Sequence, residues 1–257
     1  MIRPVGGGYW HHLGRETFLA PVRWDADGWP VVNDGKTIGL EMAAAGLPEH
    51  VVPAVPARDG FDGPLGPQWN WLRNPVRESY STSERAGWLT LHGTALTLAQ
   101  EDSPTFVGRR QQHLRARLAT RLDFEPAREG DEAGLVLYRA PAHRYEIGLR
   151  RLHGRREVFV RQTIGARLSA ITASAPAPPG PLLLQVDALP EEYTLSFGPS
   201  AERLTRLDAA VTRFLSSEVA GGFVGTYVGL YATGNGAPAA TPAHFDWFDY
   251  EGAPDGR

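Results

Sequence analysis

From Gln68 onward the chain is dominated by short runs in which apolar and polar side chains alternate with a period of two. In Arg115 to Asp123, Ala116, Leu118, Thr120 and Leu122 fall on one side, while Arg115, Arg117, Arg121 and Asp123 fall on the other. That is the pattern of a strand with one face in a core. Runs of the same kind at Gly134 to Tyr138, Tyr145 to Leu149, Glu157 to Gln162, Leu182 to Val186, Tyr193 to Phe197, Tyr227 to Tyr231 and Phe245 to Tyr250 predict further strands. No stretch keeps a helical spacing of apolar residues for three turns, and strands do not alternate with helices, so two antiparallel sheets packed face to face are expected. Ala173 to Pro181 holds four prolines and a glycine and is expected to be a loop crossing between the sheets.

The part before Gln68 has a different texture. Phe18 to Trp24 is β-prone, Asp25 to Gly28 has turn chemistry and Trp29 to Val32 can return as a second strand, which predicts a hairpin with too little apolar partner surface to stand alone. From about Lys36 to Arg58, Pro48, Pro53 and Pro56 disfavour both long helix and central strand, and an extended linker is expected. The predicted organisation is a hairpin segment over 1–35, a linker over 36–57 and a sandwich over 58–252.

Composition supports this picture and narrows the partners. Among 257 residues there are 29 glycines and 21 prolines, suited to many turns, with 42% hydrophobic and 10% aromatic residues, enough for a large core. A net charge of -3, with both signs spread along the chain, offers no footprint for nucleic acid or an anionic membrane, so a neutral partner is favoured. There is no cysteine, hence no disulfide and no thiolate metal site. Met1 to Trp10 has no apolar run of signal-peptide length and no segment reaches membrane-spanning length, so a soluble, cytoplasmic protein is expected.

Candidate chemistry enters through motifs. Gly8-Tyr9-Trp10-His11-His12-Leu13-Gly14-Arg15-Glu16-Thr17, followed by Trp24 and Asp27-Gly28-Trp29-Pro30, resembles the end of the five-bladed propeller of family 43 β-xylosidases and α-L-arabinofuranosidases. Asp59-Gly60-Phe61-Asp62, Trp69, Phe106-Val107-Gly108-Arg109-Arg110-Gln111-Gln112-His113, Gly222-Phe223-Val224-Gly225 and Phe245-Asp246-Trp247-Phe248 are similar to landmarks of the C-terminal domain of those enzymes, in the same order. The resemblance implies an all-β, concanavalin A-like antiparallel sandwich (a jelly roll) preceded by the last hairpin of a propeller blade. Members are inverting glycosidases, whose acid and base carboxyls stand roughly 6.5–9.5 Å apart to admit a water. The family places those carboxylates in earlier blades, so the resemblance implies no catalytic residue here and no activity of the chain alone. The implied partners are short xylo- or arabino-oligosaccharides within a complete propeller.

The resemblance also suggests site residues. Arg15, in the Leu-Gly-Arg-Glu segment, would bind sugar hydroxyls with its guanidinium fork, with Glu16 as a structural neighbour. Phe223 would be pushed by its flanking glycines towards the mouth of the substrate site; read from the residues alone, it is equally a core phenylalanine opening the Tyr227 strand. Asp59 and Asp246, near the first and last strands, would share a structural calcium ion. His11-His12 reads as bland, because neighbours on a strand point to opposite faces, and the arginines around Gly154 read as a solvated hairpin tip. The competing function is a freestanding carbohydrate-binding module, against which Trp69, Trp71, Trp88 and Trp247 are read as core residues.

Overall fold

The computed structural model of the protein describes residues 10–39, 41–43, 46–51, 53 and 55–253. The glycine run Gly6 to Gly8 and the start of the Trp10 motif lie outside them. The chain forms two compact units, one of residues 1–14 and 56–257 and one of Arg15–Val55.

The smaller unit holds the predicted hairpin. β1 (Val22–Trp24) pairs antiparallel with β2 (Pro30–Val32), Val22 opposite Val32 and Trp24 opposite Pro30. The Asp25 carboxylate accepts from the backbone N–H of Asp27 (3.0 Å) and Trp29 (2.9 Å), closing the turn as an aspartate side chain does when it mimics backbone. The ribbon is open, with Trp24 69% exposed and Trp29 71%. Where described, residues 36–57 carry no helix or strand.

The larger unit is a two-sheet sandwich. Its strands are β3 (Arg58–Asp59), β4 (Asn70–Trp71), β5 (Tyr80–Ser81), β6 (Leu89–Leu91), β7 (Phe106–Arg110), β8 (Arg115–Asp123), β9 (Glu132–Ala140), β10 (His143–Leu152), β11 (Arg155–Ile164), β12 (Leu168–Pro176), β13 (Leu182–Ala188), β14 (Glu192–Gly198), β15 (Thr205–Val211), β16 (Tyr227–Thr233) and β17 (Ala243–Ala253). One sheet runs β12-β11-β10-β9-β16-β7-β4; the other runs β15-β14-β13-β8-β17-β6-β5, with β3 added on β17. Pairing between the named strands is antiparallel throughout. The alternation read from β8 is the alternation observed, with Ala116, Leu118, Thr120 and Leu122 buried against the facing sheet and Arg115, Arg117 and Arg121 exposed.

Two sequence readings are corrected. Ala173 to Pro176 is not loop but the end of edge strand β12; the crossing to the second sheet is confined to 177–181. Ile171, Ala173 and Ala175 are half-buried and alternate with the exposed Thr172 and Ser174, a strand pattern that the prolines from Pro176 onward obscured. The arginines around Gly154 are not simply solvated: Arg150 pairs with Glu157, and Arg156 donates to the Phe124 carbonyl at 3.1 Å. His153 and Gly154 alone make the turn, both at positive φ.

Candidate functional site

The loop that carries Phe223 is built from the backbone outward. After β15 the chain makes one helical turn, α1 (Ser217–Ala220), and then passes through Gly221 and Gly222 at φ 74 and 67. Those angles favour glycine, and they turn the chain so that Phe223 leaves the body of the sandwich. It is 66% exposed, beside a half-exposed Val224. The core alternative for Phe223 is therefore not what the fold does. Arg139 fixes the base of the loop, donating to the Gly221 carbonyl and to Ser217 Oγ.

A second segment grips the same loop. The His11 N–H donates to Glu218 Oε2 at 2.8 Å, and its ring Nδ1 pairs with Glu218 Oε1. The Ser217 N–H donates to the His11 carbonyl, the Thr226 N–H donates to the His12 carbonyl at 2.8 Å, and Arg110 Nη2 reaches the Leu13 carbonyl at 2.9 Å. Gly14 lies so close to Gly225 that a Cβ on either would overlap backbone. His12 is fully buried, edge-on to the Tyr193 ring at 6.4 Å, and burial lowers its pKa to about 4. Partial burial alone would raise Glu218, but its bonds to His11 hold the carboxylate down at about 2. Adjacency announced that the two histidines point apart; which of them is buried, and the partners of each, were not legible.

Arg15 and Glu16 begin the smaller unit and are exposed. Phe223 belongs to the larger one, as do Asp59 and Asp246.

Asp59 and Asp246 each have protein partners. Asp59 Oδ1 accepts from the Phe61 N–H at 3.0 Å, and Oδ2 accepts from the Trp69 indole N–H at 2.7 Å and from Gln68 Nε2 at 3.4 Å. Asp246 faces Arg121. Asp59 ties the buried Trp69 to the start of the sandwich. Its replacement by alanine is expected to cost about 1–3 kcal/mol, the desolvation penalty of an orphaned indole N–H, read from thermal denaturation.

The tryptophans divide. Only Trp69 of the four expected in the core is buried, at 3% exposure, while Trp71 is open. Trp88 and Trp247 are half-buried beneath guanidinium groups, Arg85 at 3.7 Å and Arg58 at 4.2 Å from the ring centroids. Their faces are thus already stacked, which is unlike an aromatic platform offered to a sugar. Two deeply buried carboxylates, Glu132 and Glu146, both pair with Arg161, at 2.8 and 2.7 Å. Enclosed and ion-paired, they are poorly placed to act on a glycosidic oxygen.

Residues 58–251 match the family model of the β-xylosidase C-terminal concanavalin A-like domain. The chain belongs to that family. It is 40% identical over 97% of its length to a non-reducing end α-L-arabinofuranosidase of Bacteroides ovatus, of which it covers 47%. A xylosidase/arabinosidase of Butyrivibrio fibrisolvens is 26% identical over 93% of the chain, again with 47% of the relative covered. Among solved structures, a B. ovatus family 43 protein of a xyloglucan locus superposes with a TM-score of 0.90 at 39% identity, covering 98% of this chain and 50% of that one. The xylan β-1,4-xylosidase of Bacillus halodurans gives 0.84 at 31% identity, covering 96% of this chain and 49% of that one. The chain thus spans about half the length of the relatives it matches, and what it matches is the C-terminal part of family 43 xylosidases and arabinofuranosidases.

Proposed function

We propose that this chain is the accessory sandwich of a family 43 glycosidase acting on short xylo-oligosaccharides or arabinofuranosides, contributing no acid or base of its own. The observation that carries this reading is likeness over nearly the whole chain to an arabinofuranosidase that is about twice as long. Its finer part, that Phe223 narrows the mouth of the substrate site and Arg15 binds a sugar hydroxyl, draws support from the exposed ring on a loop held at both ends. An apolar ring at the mouth would favour chain-end sugars by stacking on one face and excluding longer chains. The hydrolytic chemistry itself, protonation of the leaving oxygen and activation of water by two carboxyls, would come from a propeller.

The test is release of nitrophenol from aryl α-L-arabinofuranoside and β-xyloside. The purified chain alone is expected to match a heat-killed control. Fused behind the N-terminal half of the B. ovatus enzyme, it is expected to support turnover, and Phe223→Ala in the fusion to raise KM with little change in kcat, as loss of uniform binding does. Turnover by the chain alone would overturn the accessory role.

A further inference from the structure

We infer that the stretch Trp10–Gly14 is a latch that sets the position of the Phe223 loop, and that a neutral His12 is the positioning residue on which the latch depends. The inference rests on the proposed role of Phe223 only for its effect on substrate; the latch stands or falls by itself.

Three observations support it. First, the latch meets both ends of the loop: His11 holds α1 through Glu218 and Ser217, and His12 holds the far end through the Thr226 N–H. The loop between these points, 218–225, can shift only if one end is released. Second, the approach of Gly14 to Gly225 leaves no room for a side chain on either, so the two backbones are in register at one contact and not merely near each other. Third, neither ring nitrogen of the fully buried His12 has a hydrogen-bond partner among the described residues, and the buried Ser216 Oγ at the start of the loop has none either.

A neutral imidazole can occupy such a site, but an imidazolium there would have no acceptor for two N–H donors. The titratable and charged groups on the elements around it offer no relief. β14 presents Tyr193; β7 presents Arg110, β9 Arg139 and the turn after β15 Arg213, which lies over the Trp10 ring; Glu218 on α1 is already paired to His11. Protonation therefore favours the released segment.

The sign follows from the depressed pKa of the docked state. Docking is fully supported above the ordinary histidine pKa of 6.5 and weakens progressively as pH falls from there to about 4. Glu218 remains a carboxylate through that window. A released Glu218 takes up a proton only near its ordinary 4.5, so loosening above that pH reports His12 and not the salt bridge.

The experiment is hydrogen exchange of the full chain between pH 7.5 and 4.5, followed in peptides covering 216–226 and expressed as protection factors, with β16 as the internal reference. In the wild type the opening equilibrium of the loop is expected to rise roughly 50- to 100-fold at pH 4.5 relative to pH 7.5, with β16 unchanged. His12→Phe, which fills the same space without a proton site, is expected to keep the loop protected at both pH values; His12→Met is the second variant should the phenylalanine not fold. A wild-type loop whose protection does not change with pH, or a His12→Phe loop that loosens with the same profile, overturns the latch. In the fused enzyme, a pH-dependent loop without a matching acid limb in KM would leave the latch intact and refute the substrate role of Phe223.

Discussion

Arg161→Ala is expected to destabilise the sandwich by about 3–5 kcal/mol, because it leaves the buried Glu132 without a counter-ion and the buried Glu146 with Arg144 alone. Arg161 stands on β11 with its side chain on the face turned away from the core, and its guanidinium forks between Glu146 of β10 and Glu132 of β9. Glu146 is also held by Arg144 at 2.8 Å, while the second oxygen of Glu132 has no partner. Both carboxylates are nearly solvent-free, with side-chain exposures of 2% and 3%. Burial by itself would lower the pKa of Arg161; the two carboxylates more than offset this and hold it raised. A lone arginine on an exposed face would contribute a small fraction of this effect. Urea denaturation gives the number, and a compensated variant gives the cause. Arg161→Met combined with Glu132→Gln is expected to recover much of the loss, since Glu146 keeps Arg144 and no orphaned charge remains. Equal destabilisation in both variants would mean that the arginine acts through packing on Phe159, over whose ring it lies at 4.9 Å.

The same face shows where sequence reading stops. β8 was legible because one side of it meets solvent and the other meets the core, so charge and apolarity alternate cleanly. β9 is buried from Glu132 to Arg139, with Leu135 and Leu137 in the main core and Val136 and Tyr138 in a second, smaller cluster with Phe106 and Tyr231. Its pattern therefore marks a strand but not its surroundings, and nothing in the spacing of Glu132, Glu146 and Arg161 announces that three strands bring them together. The site divides in the same way. The glycines around Phe223 announced a tight loop, because positive φ is a local demand. The grip of His11 and His12 on that loop spans more than 200 residues of sequence, and each histidine alone carries no sign of its partner. The bond from the Trp69 indole to Asp59 is a related case: nothing in the sequence around an aspartate announces that an indole N–H ends on it.

Phe248→Ala is expected to cost about 3–5 kcal/mol, the range for removing a fully buried phenylalanine from a core that cannot collapse around the gap. Collapse is restricted here by the covalent and hydrogen-bonded frame. Phe245 and Phe248 are both buried in the core although three positions apart, a spacing that places side chains on opposite faces of a regular strand. A bulge in β17 between them, opposite β8, restores Phe248 to the core side. The Trp247 carbonyl beside the bulge accepts from the buried Thr120 hydroxyl at 2.7 Å, which fixes the irregular backbone. Inward, Phe248 meets Trp69 edge-on at 5.1 Å, Trp69 meets Phe61 at 5.9 Å, and the Trp69 N–H ends on Asp59, the residue opposite Phe248 in the β3–β17 pair. First and last strands of the sandwich are thereby joined by one closed circuit of side chains. Trp69→Phe should cost less by itself, yet the pair Trp69→Phe and Phe248→Ala is expected to depart from additivity by about 0.5–3 kcal/mol, as contacting residues do. Additive costs in a double-mutant cycle from urea titrations would show that the two rings stabilise the strands independently, and the circuit through Asp59 would then not act as a unit.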